Sequence, residues 1–301
     1  MSLFLLKGKR LLTSILKQIL PPVIVKIVKN NLSEANCSGT YDSYQEAALA
    51  CTGFGYEQED LISVILEKTK RYKISLDTVK YLEPSIQDTR LALAISLAHN
   101  TTQHNTTQHN TTQHNTTQVI DFGGACGAHY FFANAFFKDK VKLEWHVVES
   151  LGLASVGKVL EDGQLHFYNN LESVKKRTEE VDLLFSSGTL QYIPDPYGTL
   201  KDMVMFGAKY IFLTRTAMTT EKSDLVTVQT SRLSENGVGL LPNGMKDAIA
   251  KYPVVFVRKD VVEEIVAEHY DIKMLWKEHA EAYRWNGHSV DVYGIVAERR
   301  K

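Results

Sequence analysis

The residues best placed for chemistry lie just after residue 118, in the run Val119-Ile120-Asp121-Phe122-Gly123-Gly124-Ala125-Cys126-Gly127. Its first four residues read as a buried strand. The glycines let the backbone approach a ligand closely, and a helix starting after them offers free N–H groups and a positive dipole end. The next apolar run, Leu143-Glu144-Trp145-His146-Val147-Val148, ends in Glu149, where a carboxylate can accept both hydroxyls of a ribose. The glycine spacing is not the Gly-x-Gly-x-x-Gly of a dinucleotide site, and no Lys-Ser/Thr pair closes a P-loop. A nucleotide-sugar oxidoreductase and an ATP or GTP hydrolase are therefore disfavoured.

Three further short strands follow. Leu165-His166-Phe167-Tyr168 precedes Asn169, and Val181-Asp182-Leu183-Leu184-Phe185 runs into Ser186-Ser187-Gly188-Thr189-Leu190-Gln191-Tyr192. Tyr210-Ile211-Phe212-Leu213 leads into Thr214-Arg215-Thr216. Short apolar runs alternating with helical spacing predict an α/β domain, and a doubly wound sheet places its site in the loops at the carboxyl ends of its strands. Cys126, inside the glycine loop, reads as a small buried space-filler, since no base pairs with it in sequence. His129 and Tyr130 are read either as helix residues beside the ligand or as solvent-facing.

The segments VIDFGGACG, WHVVE, VDLLFSSGTLQYIPDPY and YIFLTRT together resemble class I S-adenosylmethionine-dependent methyltransferases. More narrowly, they are similar to those found with bacterial surface-polysaccharide, O-antigen or capsule biosynthesis genes. The likeness runs from about Tyr41 to the C-terminus, leaving out the repeat at 99–118, and is strongest over 119–216. It implies a Rossmann-like, doubly wound, mostly parallel sheet with an antiparallel closing strand. It also implies S-adenosyl-L-methionine as cofactor and a small-molecule or sugar/glycan acceptor, including a nucleotide- or lipid-linked sugar. By this resemblance Asp121, Gly123, Gly124 and Gly127 form the cofactor loop, Glu149 is the ribose-binding acid, and Asn169 and Ser187 complete the cofactor contacts. Many such enzymes carry an acid where this chain has Asn169.

Methyl transfer from a sulfonium needs an acceptor held in line with the methyl group, so positioning supplies much of the catalysis. Gln191 and Tyr192 are expected to shape the methyl and acceptor pocket. Asp195 is expected to orient the acceptor or take its proton, unless Pro194-Asp195-Pro196 is only a rigid turn. Arg215 is expected to recognise a phosphate or carboxylate, unless it is a surface salt-bridge partner. The second reading keeps the fold without the reaction, as an inactive cofactor-binding or scaffold protein of a membrane-associated synthesis complex.

The rest of the chain must position these groups. Its 301 residues suffice for one large domain with appendages, and 34 Lys plus Arg against 35 Asp plus Glu leave no global field to gather nucleic acid. Three cysteines without metal-ligand spacing fit a reducing, cytoplasmic location. Four of the ten histidines, His99, His104, His109 and His114, each open an identical HNTTQ copy over 99–118. A period of five matches neither helix nor strand and predicts a polar surface loop, not a metal site. Residues 1–40 begin with six basic residues and no acidic one among the first thirty. They form amphipathic segments suited to an anionic membrane surface, to a partner, or to capping the main domain, and they are too short in apolar run to span a bilayer. Residues 41–98 read as a helical region, 119–301 as the main domain, and about 217–258 as an insertion able to cover the acceptor. Trp285 and His288 are further acceptor-side candidates, or simply packing residues.

Overall fold

Strand β2 (Thr116–Phe122) runs through the middle of the domain with an apolar layer on each face. Val119 packs into one layer and Ile120 into the other, and in β5 (Leu183–Ser187) Leu183 and Phe185 join the first while Leu184 joins the second. Parallel strands covered on both faces need such nearly continuous apolar runs. The computed structural model describes residues 37–51, 58–106, 116–178, 180–278 and 283–300.

Among the described residues one sheet is formed, in the order β1 (Cys37–Tyr41), β7 (Leu225–Arg232), β8 (Ile249–Arg258), β6 (Tyr210–Thr219), β5, β2, β3 (Lys142–Val148) and β4 (Leu165–Tyr168). β11 (His288–Arg299) pairs antiparallel with both β6 and β9 (Tyr270–Lys277), and with the short β10 (Tyr283–Trp285). The run β4-β3-β2-β5-β6 is parallel. The chain winds outward from β2 through β3 to β4 and then returns to β2's other side as β5, so the carboxyl ends of β2 and β5 flank a switch point, where open α/β sheets bind ligands. This is the Rossmann-like, mostly parallel sheet with an antiparallel closing strand that the sequence leads one to expect.

Helices α2 (Glu59–Thr78), α3 (Ile86–Thr106), α4 (Ala128–Phe137) and α5 (Leu151–Gly157) cover the first face, burying Leu61, Ile65, Leu91, Ile95, Phe132 and Leu153. On the second, α1 (Tyr44–Leu49), α6 (Leu171–Lys175), α7 (Pro196–Phe206) and α8 (Lys259–Ala267) contribute Ala47, Val174, Leu200, Met203 and Val262. The helical region at 41–98 thus shares the main core on both faces.

The structure narrows the loop expected over 99–118. Helix α3 begins at Ile86, after Pro84 and a reciprocal Ser85–Asp88 cap, and carries on through the first eight repeat residues to Thr106. Ala98 is fully buried, and the Nδ1 of His99 lies 3.0 Å from Oγ1 of buried Thr117, at the far end of the repeat. Packing of the helix and pairing of Thr116 with Lys142 in β3 override the weak propensities of Thr and Asn. Residues 107–115 lie outside the described residues.

Of the basic N-terminal segment, 1–36 lies outside the described residues, but its last residues are strand β1 at the sheet edge, paired antiparallel with β7. Most of the expected insertion at 217–258 is a β7–β8 hairpin that widens the sheet; β8 pairs with β6 through Val257 and Arg258, opposite Met218 and Thr219. No helix among the described residues is long and apolar enough to cross a membrane.

Candidate functional site

A cleft of about 1520 Å³ opens at the carboxyl ends of β2, β3 and β5. Its floor is the glycine loop. Gly123 has φ +76°, its N–H donates to Val148 O at 2.8 Å, and an added Cβ would stand 2.1 Å from Thr189 Oγ1. Gly124 is closed in from below, where a Cβ would meet the Asp121 carboxylate at 2.3 Å. Both line the cleft, and only glycine fits at either without a shift of neighbours.

Glu149 stands in the cleft at the tip of β3, with Oε1 accepting from Ala125 N at 3.2 Å and Oε2 from Ser150 N at 2.6 Å. The loop and the acid are thereby locked to each other. Asn169 lines the same wall after β4, its Oδ1 accepting from Asn170 Nδ2 at 2.8 Å. Ser187 and Ser150 also line the cleft, and their buried hydroxyls have no hydrogen-bond partner among the described residues. A glycine cradle beside a clamped carboxylate suits a polar, hydroxyl-bearing ligand.

Two expected loop contacts are placed elsewhere. Asp121 is fully buried beneath the loop and does not line the cleft. Its carboxylate accepts from Trp145 Nε1 at 3.3 Å and holds His129 Nδ1 at 3.0 Å. Gly127, at φ +80° before α4, turns toward Leu165 and Phe167, 3.3 to 3.5 Å from an added Cβ, so it packs on the core. Both shape the loop from behind.

On the acceptor side the four expected residues divide. Tyr192 lines the cleft, its hydroxyl donating to Gln229 Oε1 at 3.0 Å and its ring edge-to-face with Tyr252. Burial pushes that hydroxyl up to about 12, so it shapes the wall and does not act as a base near neutral pH. Gln191 is buried behind the wall, where Nε2 donates to Arg215 O at 3.1 Å; it positions backbone and does not reach the cleft. Asp195 is the N-cap of α7, accepting from Gly198 N at 2.9 Å with Pro196 at the first helical position, so it is the turn residue and does not line the cleft. Arg215 lines the cleft. Trp285 is buried on Phe256, and neither it nor His288 lines the cleft.

His129 emerges as a site residue. It lines the cleft from the first turn of α4, sits edge-on to Phe185 at 5.3 Å, and is oriented by Asp121. Burial alone would lower its pKa, but the charge and hydrogen bond of Asp121 outweigh that and raise it, with Arg215 opposing. A histidine steered through one nitrogen by a buried carboxylate is an oriented acid–base group. The sequence signal available was its place just past the loop, eight residues after Asp121. The rest of the upper wall comes from Tyr44 and Ala48 of α1 and from Glu235–Val238, Tyr252 and Pro253 of the hairpin. That assembly is non-local and has no local sequence signal.

Cys126 is fully buried, and burial pushes its thiol up to about 12, as suits a space-filler. Among the described residues no group of His, Cys, Asp and Glu is arranged to hold a metal ion.

Among solved structures, the chain is similar to an S-adenosylmethionine-dependent methyltransferase from Clostridium acetobutylicum, at 8% identity over 77% of this chain and 99% of that one, with a TM-score of 0.41. It is similar to human N-acetylserotonin methyltransferase in complex with SAM, at 12% identity over 81% of this chain and 60% of that one, with a TM-score of 0.37. It is also similar to an O-methyltransferase family protein from Burkholderia thailandensis, at 9% identity over 80% and 58%, with a TM-score of 0.37. No family model and no curated protein matches the sequence.

Proposed function

We propose that the chain is an S-adenosylmethionine-dependent methyltransferase acting on a small-molecule or sugar/glycan hydroxyl, in surface-polysaccharide biosynthesis. The observation that carries this reading is the cradle at the switch point: Gly123 and Gly124 under the cleft, with Glu149 clamped beside them at the tip of β3. Gly123, Gly124, Glu149, Asn169, Ser150 and Ser187 are the residues that would hold the cofactor, with Glu149 on the ribose and Asn169 on the adenine edge. The cofactor supplies an electrophilic methyl group on a sulfonium. Tyr192 and the hairpin wall would hold the acceptor oxygen in line, and His129, steered by Asp121, would receive the acceptor's hydroxyl proton as the oxygen–methyl bond forms and the sulfur–methyl bond breaks, its electron pair staying on the sulfur.

A cofactor-binding protein without turnover is the second reading, favoured by the amide of Asn169 where a carboxylate would grip adenine more firmly. Calorimetry with S-adenosylmethionine and S-adenosylhomocysteine tests binding, and transfer of labelled methyl to nucleotide sugars and glycans tests turnover. Micromolar binding that is weakened by Glu149→Ala and by Gly123→Arg supports the site. Absence of binding to the unmodified chain overturns it.

A further inference from the structure

Arg215 is held in an uncommon backbone conformation, and the surrounding structure is built to keep it there. Its φ is +54°, unusual for a residue with a side chain. In the β6–β11 ladder Leu213 pairs with Ile295 and Thr216 with Tyr293, so Thr214 and Arg215 together oppose the single residue Gly294. That is a β-bulge, a device that turns a side chain out of the sheet. Glu278 Oε1 accepts from Arg215 N at 2.6 Å and Gln191 Nε2 donates to Arg215 O at 3.1 Å, so both backbone groups freed by the bulge are satisfied.

The side chain so re-aimed lies over Gly188 at the end of β5, where an added Cβ would stand 3.5 Å from Arg215 Nε and Cζ, and it lines the cleft. Its guanidinium makes no hydrogen bond or ion pair with any described residue. Two carboxylates, Glu278 beside the bulge and Asp121 beneath the loop, are engaged by other groups. Glu278 also accepts from Arg90 Nη1 at 2.6 Å and from Thr214 Oγ1 at 2.5 Å, and Asp121 is held by His129 and Trp145. A cation delivered into a cleft by a strained backbone, with Glu278 and Asp121 hydrogen-bonded to other groups, is prepared for an anion from outside the chain.

We propose that Arg215 is an anion-binding subsite of the cleft and that the methyl acceptor carries a carboxylate or phosphate that docks on it. This rests on the methyltransferase reading for the word acceptor, but not for the anion. Carboxylates also occur on the cofactor's own amino-acid end, and the experiment separates the two sources.

The test is calorimetry on the full chain, first with S-adenosylhomocysteine and then, on the saturated protein, with inorganic phosphate and with malonate. Wild type, Arg215→Lys and Arg215→Asn are compared; asparagine tolerates positive φ, so the bulge survives the substitution, and circular dichroism checks the fold. The expected result is phosphate or malonate binding to the loaded wild type, weakened about tenfold or more in Arg215→Asn and less in Arg215→Lys, with S-adenosylhomocysteine affinity within about twofold throughout. If the loaded wild type takes neither anion while Arg215→Asn loses S-adenosylhomocysteine affinity, the guanidinium serves the cofactor and the proposal is wrong. Equal anion binding by wild type and variant overturns it as well. Failure of S-adenosylhomocysteine to bind any of the chains defeats the methyltransferase reading instead, and the same anion titrations on the unloaded chains then decide for or against Arg215.

Discussion

Glu278 Oε1 sits 2.6 Å from the backbone nitrogen of Arg215, and the same carboxylate takes Arg90 Nη1 at 2.6 Å. One side chain just past the end of β9 therefore fixes both a strained cleft residue and the helix that runs into the repeat. Its side chain is 3% exposed and that of Arg90 is 16% exposed, so removing the carboxylate strands a largely buried charge and an unpaired N–H. Glu278→Ala should cost about 3 kcal/mol in urea unfolding. Glu278→Gln, which keeps an acceptor for Arg215 N, should cost less. Equal losses in the two variants would mean that the hydrogen bond to Arg215 contributes nothing.

Gly294 is the single residue opposite the bulge, and a Cβ there would lie 2.1 Å from the Trp276 indole. The ring is wedged between Phe212 and the Arg90 guanidinium, at 5.6 and 5.9 Å. Gly294→Ala should destabilise by about 1 to 3 kcal/mol through overpacking. The added Trp276→Leu substitution should recover part of that loss relative to Trp276→Leu alone. A double-mutant cycle with no coupling would show that the contact is not what requires glycine.

Much of this was legible because buried strands read as apolar runs: β4 falls at Leu165–Tyr168 as expected, and β3 and the antiparallel β11 lie within a residue or two of their apolar segments. Glu149 and Gly123 were legible for the same reason, being fixed at strand ends by local geometry. Asp121 was not. Its neighbourhood in sequence resembles a binding loop, but the indole of Trp145, 24 residues away, draws the carboxylate under the loop. Arg215's conformation depends on Gln191 and on Glu278, 63 residues distant, and no local pattern encodes such a bulge. The helix running into the repeat likewise reflects tertiary packing overriding propensity.

His146 should give the fold an acid-sensitive limb. It is 1% exposed, with Nε2 3.0 Å from Gln118 Oε1 and its ring stacked on His166 at 5.7 Å. Burial, helped by the nearby His166 and Arg177 charges, lowers its pKa from 6.5 to about 4. The unfolded chain therefore takes up this proton first, and stability is lost as pH falls from about 6.5 toward about 4, by roughly 3 kcal/mol at most. Unfolding of wild type and His146→Gln from pH 4 to 7.5 checks this. The variant should lack the loss that this group contributes, and parallel curves would contradict it.

His129 should do the opposite. Its side chain is 24% exposed, but it touches the fully buried Asp121 carboxylate, and the pairing raises its pKa against the pull of burial. A proton bound more tightly in the folded state stabilises fully below the unfolded pKa of about 6.5, and that stabilisation is lost as pH rises through the higher folded value. Relative to His129→Gln, wild type should be most favoured at pH 5.5 and progressively less so toward pH 9. Asp121→Asn should flatten the dependence while leaving the imidazole in place, because the amide removes the charge that raises the pKa. Thermal unfolding of the three proteins across that range provides the check. A wild-type advantage that is constant with pH would show that His129 packs beside Asp121 without sharing its charge, and would argue against the proton-accepting role proposed for it.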